Sequence, residues 1–281
     1  MLDAKRRSRP EGTPARPGIT SAGSSLRIGR VALTVRDLDR VIRFYQDIVG
    51  LNLIDSDAQG HRLGVGRDVL LDLRHDPQAR PADRRHAGLF HTAFLLPDRA
   101  ALADWLVHAA AQHVQLDGAS DHLVSEALYL TDPEGNGIEI YRDRSPDQWT
   151  RTGDRIEMFT RRLNLDDLLS MADGPWQGAP DGSSLGHVHL QVGDLGLADD
   201  FFAGDLALTR TFDAQGGAWY GWNGYHHHLA GNIWNSRGAG PRSPDATGLA
   251  EIVLTADPGA ALPLGATEAV DPWGTRLRLE H

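Results

Sequence analysis

The chain reads Arg30-Val-Ala-Leu-Thr-Val-Arg-Asp-Leu38 near its start and His187-Val-His-Leu-Gln-Val-Gly-Asp-Leu195 further along, so one pattern occurs twice. Each copy begins with a short apolar run that is typical of a β-strand and continues to an Asp that can cap a helix. Apolar residues follow the first copy at helical spacing up to Gly50, a residue type that commonly ends helices. The pattern therefore predicts a strand followed by a helix in each copy.

Two further segments begin in the same way. Leu89-Phe-His-Thr-Ala-Phe-Leu-Leu96 opens a second module, with Asp98 before its helix, and Leu249-Ala-Glu-Ile-Val-Leu254 opens a fourth. The turns Asp132-Pro-Glu-Gly135 and Asp271-Pro-Trp-Gly274 stand before the last strands of modules two and four. We therefore predict an α+β fold of four β-α-β-β-β modules, the last of them abbreviated because its strands leave little room for a helix.

The modules divide the chain into two predicted domains. Residues 25–142 contain modules one and two, residues 184–281 contain modules three and four, and residues 143–183 are predicted to be a linker. Residues 1–24 are rich in Arg, Pro, Gly and Ser without an apolar period, which indicates a disordered tail.

Composition excludes several classes of protein. The 281 residues include 28 Lys and Arg against 38 Asp and Glu, a net charge of −10, which disfavours general binding to nucleic acid. The chain has no Cys, so disulfides, thiolate metal sites and cysteine nucleophiles are excluded. No apolar run approaches the ~20 residues that span a bilayer, and the N-terminal stretch lacks the apolar segment of a secretory signal. We therefore expect a cytoplasmic protein without membrane contact, whose chemistry is to be sought among its 13 histidines.

A family resemblance rests on two motifs. One runs Gly118-Ala-Ser-Asp-His-Leu-Val-Ser-Glu-Ala-Leu-Tyr-Leu-Thr-Asp-Pro-Glu-Gly-Asn-Gly-Ile-Glu-Ile-Tyr141, and the other is Gly224-Tyr-His-His-His228 followed by Asn232 and Trp234. Both resemble the bacterial catechol-2,3-dioxygenase-like branch of the vicinal oxygen chelate superfamily, which includes glyoxalase I, bleomycin-resistance proteins and extradiol dioxygenases. The resemblance implies curved mixed sheets around open cavities. It also implies a divalent metal held by the first and last strands of two paired modules.

The resemblance assigns candidate metal ligands to each module. Modules two and three offer His91, Glu139, His187 and His226, the last because Asn223-Gly-Tyr-His226 aligns with Asn136-Gly-Ile-Glu139. Modules one and four offer Arg30 with Asp72 and Glu251 with Arg278, and a protonated arginine has no lone pair to give to a metal. The site is thus most complete if modules two and three pair, either within the chain or between two chains of a homodimer.

Two imidazoles and a carboxylate favour Fe(II), with Mn(II) or another divalent metal as the alternative. We expect the ligating atoms of His91, Glu139 and His187 to lie within about 4–5 Å of one another, since first-row metals bind such ligands at ~2.0–2.2 Å. Strand alternation should turn His187 and His189 to one face and Val188 to the other.

The run of three histidines leaves open which of them faces the site. Read as part of a strand, it turns His226 and His228 to one face and His227 to the other. We predict His226 as a metal ligand and His228 as a catalytic residue.

Two residues upstream of Glu139 complete the candidate site. His122 and Tyr129 precede it by 17 and 10 residues. The resemblance implies an acid/base role on the bound oxygens for His122 and a hydrogen bond from Tyr129 to a catecholate oxygen. The alternative is a histidine that satisfies a turn and a tyrosine in the strand core.

These residues lead to one expected function and two alternatives. We expect an extradiol ring-cleaving dioxygenase of aromatic catabolism, whose partners are a small aromatic diol and O₂. A metal-free binding protein of the bleomycin-resistance kind and a glyoxalase-like isomerase or lyase are the other two readings. The metal, the diol and the effect of Arg30 and Arg278 on activity stay open at this point.

Overall fold

The computed structural model describes residues 25–58, 60–259 and 266–281. The predicted disordered tail, residues 1–24, lies outside the described residues. The strands of the described part are β1 (Leu26–Val35), β2 (Asn52–Ser56), β3 (His61–Val65), β4 (Asp68–His75), β5 (Gly88–Leu95), β6 (Gly118–Asp121), β7 (Ser125–Thr131), β8 (Gly137–Asp143), β9 (Arg151–Thr152), β10 (Arg155–Ile156), β11 (Arg161–Arg162), β12 (Ser184–Gln191), β13 (Thr209–Ala214), β14 (Gly217–Gly221), β15 (Leu229–Asn232), β16 (Gly248–Ala256), β17 (Glu268–Val270) and β18 (Arg276–Glu280).

The helices are few and short. They are α1 (Leu38–Phe44), α2 (Arg99–Ala111), α3 (Leu165–Leu169) and α4 (Leu195–Asp199), with a 3₁₀ turn at Pro146–Gln148. Helices α1 and α4 each continue into a π-helical turn, Tyr45–Val49 and Asp200–Asp205. In the residues that the structure describes, no helix has both the length and the apolar character needed to cross a bilayer.

The predicted α+β fold of four modules is confirmed. Modules one, two and three each consist of a strand, a helix and three further strands, and the described part of module four has β16, β17 and β18 without a helix. The predicted helix starts are also present. The side chains of Asp37, Asp98 and Asp194 each accept a hydrogen bond from a backbone N–H in the first turn of the helix that follows.

Two mixed sheets join the modules in an order that differs from their order in the chain. The seven-stranded sheet runs β17-β18-β16-β1-β4-β3-β2, and a nine-stranded sheet runs β11-β6-β7-β8-β5-β12-β15-β14-β13. The first strands pair antiparallel at the centre of each sheet, β1 with β16 and β5 with β12. Module one therefore pairs with module four, and module two with module three, within one chain. Each sheet draws on both predicted domains, and the domain boundaries at residues 142 and 184 stay a prediction.

The core lies between these sheets and the helices packed on them. Trp105 of α2 is fully buried, and its indole N–H donates to the carbonyl of Ile48 at 2.8 Å, which ties module two to module one. The turn at Asp132 makes a second tie, because Glu134 accepts hydrogen bonds from the backbone N–H groups of Arg36 and Asp37. These contacts hold the two sheets together.

The segment 143–183, predicted as a linker, contains the structured elements β9, β10, β11 and α3. Strand β11 extends the nine-stranded sheet at β6. Trp149, Ile156 and Met158 form a small buried cluster with Val124 and Tyr225. The segment therefore packs against the nine-stranded sheet and contributes residues to the cavity described below.

Candidate metal centre and active site

Three neighbouring strands bring His91, Glu139 and His187 together. Strand β5 lies between β8 and β12, and Ala93 of β5 is the register partner of both Glu139 and His187. His91 lies two residues before Ala93 and so projects from the same face of the sheet. One donor atom from each of the three side chains lies within 4.8 Å of the other two, which meets the separation expected from the sequence.

The two imidazoles approach one carboxylate oxygen. His91 Nε2 lies 3.0 Å and His187 Nε2 3.1 Å from Glu139 Oε2, and all three residues are buried. Burial alone would raise the pKa of Glu139, but its electrostatic contacts with His187 and His91 and its hydrogen bond with His187 hold it well below its ordinary value. Burial lowers the pKa of His187 despite the Glu139 charge. The site therefore favours a carboxylate anion with neutral imidazole.

The donor set fits a divalent metal. His91 Nε2 is buried and has no hydrogen bond of acceptable geometry within the described residues, although Glu139 is 3.0 Å away. A buried polar atom without a partner is costly, and a cation between the three donors would satisfy it. Two imidazoles and one carboxylate with open positions are the ligands of non-haem Fe(II) oxygenases.

A cavity of about 900 Å³ opens in front of these three residues. His122 and Tyr129 line it together with the three donors, and His122 Nε2 lies 2.8 Å from the Tyr129 hydroxyl. Burial lowers the pKa of His122, and burial together with the Glu139 charge raises the pKa of Tyr129 well above its ordinary value. At neutral pH the pair therefore consists of a neutral imidazole and a protonated phenol.

His226 and His228 lie outside the three-donor cluster, and their predicted roles as metal ligand and catalytic residue stay predictions. Residues 222–228 lie between β14 and β15 and are not a strand, so the alternation of side chains does not apply there. His226 is fully buried, with Nε2 2.8 Å from Asp143 Oδ1 and Nδ1 2.7 Å from His227 Nδ1. His228 packs against Trp222 and accepts the Trp222 backbone N–H at its Nδ1. Neither of them contributes to the three-donor cluster.

Of the three consecutive histidines, His227 is the one that faces the cavity. It lines the cavity, and its ring centroid lies 4.1 Å from that of His187. Burial lowers its pKa well below the ordinary value, so the ring is neutral. No sequence signal distinguished the three histidines, since the chain direction at 225–228 is set by the tertiary fold.

Other residues of the cavity carry no predicted role. His189 lies on the same face as His187, as alternation predicted, while Val188 belongs to the core. The Nε2 atom of His189 accepts a hydrogen bond of 3.1 Å from the side-chain amide of Asn232. The oxygen of that amide in turn accepts a hydrogen bond from the backbone N–H of Trp234. The predicted linker supplies Met158, Phe159 and Thr160. Period-two spacing pointed to His189, but nothing in the sequence pointed to the linker residues.

Comparison with known proteins finds a superfamily match and two relatives named as dioxygenases. Residues 27–140 match the model of the Glyoxalase/Bleomycin resistance protein/Dioxygenase superfamily. A catechol-2,3-dioxygenase of Bacillus subtilis (strain 168) is 36% identical over 237 residues, which are 82% of this chain and 83% of that protein. A biphenyl-2,3-diol 1,2-dioxygenase of Rhodococcus globerulus is 25% identical over 126 residues, which are 42% of this chain and 63% of that protein.

Solved structures share the fold. Glyoxalase I from Zea mays superposes with a TM-score of 0.54 at 17% identity, over 92% of this chain and 93% of that one. A putative dioxygenase from Bacillus subtilis gives a TM-score of 0.52 at 14% identity, over 86% and 72% of the two chains. At these identities the likeness is one of fold alone.

Proposed function

Since this chain belongs to the glyoxalase/bleomycin resistance protein/dioxygenase superfamily, we propose that it is an Fe(II)-dependent extradiol dioxygenase acting on a catechol-like diol. The convergence of His91, Glu139 and His187 in one cavity with the His122–Tyr129 pair carries the proposal. The relative from Bacillus subtilis that is named a catechol-2,3-dioxygenase supports it over most of the chain.

His91, Glu139 and His187 would hold the metal. Each neutral imidazole would offer one lone pair to a divalent cation, and the carboxylate would neutralise one of its two positive charges. When bound, the ion would supply Lewis acidity toward the two diol oxygens and the redox chemistry that O₂ requires.

His122 would serve as the acid/base. Its neutral ring has one nitrogen free of a proton, so it can take a proton from a diol hydroxyl and return it later in the reaction. Tyr129 keeps its proton at neutral pH and lies 2.8 Å from His122 Nε2, so it would hold that ring in place and hydrogen-bond a substrate oxygen. Both side chains are half-buried at the cavity wall, and the low local dielectric strengthens these contacts.

The remaining cavity wall suits an aromatic ring. Phe90, Trp219 and Trp234 line the cavity. The ring of Phe90 makes an edge contact with that of His189, and the ring of Trp234 lies tilted against it. Aromatic side chains favour offset or edge contacts with another ring at 4.5–7 Å. These residues would hold the diol ring and exclude water.

The test is reconstitution without a histidine tag. We expect metal analysis to find one iron per chain after anaerobic loading with Fe(II), and catechols to cause stoichiometric oxygen uptake. His187→Ala should lose the iron and the uptake together. Stoichiometric iron without oxygen uptake for any of several catechols would contradict the proposal and favour isomerase chemistry. Failure to retain any divalent metal would favour a metal-free binding protein.

A further inference from the structure

A second cavity, of about 460 Å³, lies on the seven-stranded sheet. Five arginines line it, namely Arg30, Arg62, Arg74, Arg276 and Arg278. Pockets that bind small molecules begin at about 300 Å³, so the space is sufficient for a small ligand. The concentration of arginine is notable in a chain whose net charge is −10.

This cavity occupies the position on its sheet that the three-donor cluster occupies on the other. Ala32 of β1 is the register partner of both Asp72 and Glu251, as Ala93 is of Glu139 and His187. Arg30 precedes Ala32 by two residues, as His91 precedes Ala93. Asp72 and Glu251 are therefore the counterparts of Glu139 and His187, and Arg30 is the counterpart of His91.

Guanidinium groups take the role of a cation here. Arg74 donates to Asp72 at 3.2 Å and to Glu251 at 2.5 Å, and Arg278 donates to Glu251 at 2.9 Å. The two buried carboxylates are thus satisfied by arginine, and arginine cannot be a metal ligand. Within the described residues, the group of donors suited to a metal is that of His91, Glu139 and His187. This cavity is therefore not a second metal site.

The lining carries more positive than negative charge. Five guanidinium groups face the two carboxylates of Asp72 and Glu251. Four further carboxylates pair with these arginines from the rim, where their side chains are between 36% and 62% exposed: Glu280, Glu268, Asp55 and Asp57. Water and salt screen exposed charges far more than buried ones. Among the residues that line the cavity itself, guanidinium groups therefore outnumber carboxylates by five to two.

Donor groups are also left over for a ligand. Arg276, whose side chain is 57% exposed, has one acidic neighbour, Glu268 at 3.9 Å, and no hydrogen bond of its side chain is present among the described residues. The side-chain hydrogen bonds of Arg74 use Nε and Nη2, and those of Arg278 use Nε and Nη1. One terminal nitrogen of each therefore has no hydrogen-bond partner within the described part of the chain.

We propose that this cavity binds a small dianion of the phosphate or dicarboxylate type. Guanidinium presents paired N–H donors whose spacing matches carboxylate and phosphate oxygens. Arg276, Arg74 and Arg278 would contact the ligand. The proposal is independent of the reaction at the other sheet, because it uses none of the residues there.

Direct binding measurements test the site. Inorganic phosphate and succinate are titrated separately by calorimetry into the full chain, at constant low ionic strength set with sodium chloride. Phosphate also stabilises proteins in general because it is excluded from their surface, but this effect gives no saturable heat of binding and so does not affect the measurement. We expect saturable binding of one anion per chain for at least one of the two probes, weakened by added salt.

Variants locate the binding. Arg276→Gln should weaken it about tenfold or more, because a hydrogen bond to a charged group is lost, and Arg276→Lys should restore part of the loss. Arg67→Gln, an exposed arginine between β3 and β4, is the matched control and should leave the affinity unchanged. Equal binding in Arg276→Gln, or no saturable heat with either probe, would overturn the proposal. Binding that disappears when a chelator removes the metal would place the anion on the other sheet and would also overturn it.

Discussion

Replacement of His122 by Ala tests the assignment of the acid/base. His122 and Tyr129 line the cavity in front of His91, Glu139 and His187 but are not part of the three-donor cluster. General acid–base help is typically worth ~10²–10⁴-fold in rate, or about 2.7–5.4 kcal/mol of activation free energy. His122→Ala should therefore lower kcat by that range while the iron content stays at that of the wild type.

The contact with Tyr129 makes the prediction sharper. Tyr129→Phe removes one hydrogen bond at 2.8 Å, and a typical bond of this kind contributes ~0.5–1.5 kcal/mol. Its loss alone should cost about two- to tenfold in kcat. Because the two side chains touch, the double variant should lose less than the product of the two single effects.

The assay is oxygen uptake with a catechol under saturating substrate, beside iron analysis of each preparation. His86→Ala serves as the control, since this exposed histidine lies outside the cavity. The reasoning is refuted if His122→Ala retains kcat within about threefold of wild type. It is refuted as well if the variant loses its iron, or if the two substitutions act additively.

Three other outcomes are expected. His187→Ala should abolish iron binding, whereas His226→Asn should retain it because His226 Nε2 bonds Asp143; elemental analysis decides. Burial alone would raise the pKa of Glu251, but hydrogen bonds from Arg278 and Arg74 bring it below its ordinary 4.5. This carboxylate therefore stabilises the fold fully above about pH 4.5, and its contribution is lost as the pH falls below 4.5 and through the lowered pKa of the folded protein. The difference in urea midpoint between wild type and Glu251→Gln should accordingly shrink below pH 4.5. Trp105→Ala should lower the free energy of unfolding by about 3–5 kcal/mol in urea titrations, since it empties a fully buried site.

Much of the architecture was readable from the order of residues. The strand, the capping aspartate and the helix recur at Asp37 and Asp194 because each depends on neighbours within a few residues. His91, Glu139 and His187 lie on first and last strands, whose period of two places the side chain once the strand is recognised. The chemistry of arginine further indicated that modules two and three share the site, and β5 pairs with β12 in the structure.

Only the tertiary structure decided the rest. Residues 222–228 are not a strand, so the contact of His227 rather than His226 or His228 with the cavity could not be predicted from alternation. It depends on contacts of its neighbours, His226 with Asp143 and His228 with Trp222. The segment 143–183 has weak periodicity, and its contribution to the cavity arises from packing against β6 and β13 rather than from a local preference. Local sequence determines which residues share a face of a strand, because the backbone repeats every two residues. The strands and loops that then face each other depend on contacts between residues far apart in the chain, and those are settled when the whole core packs.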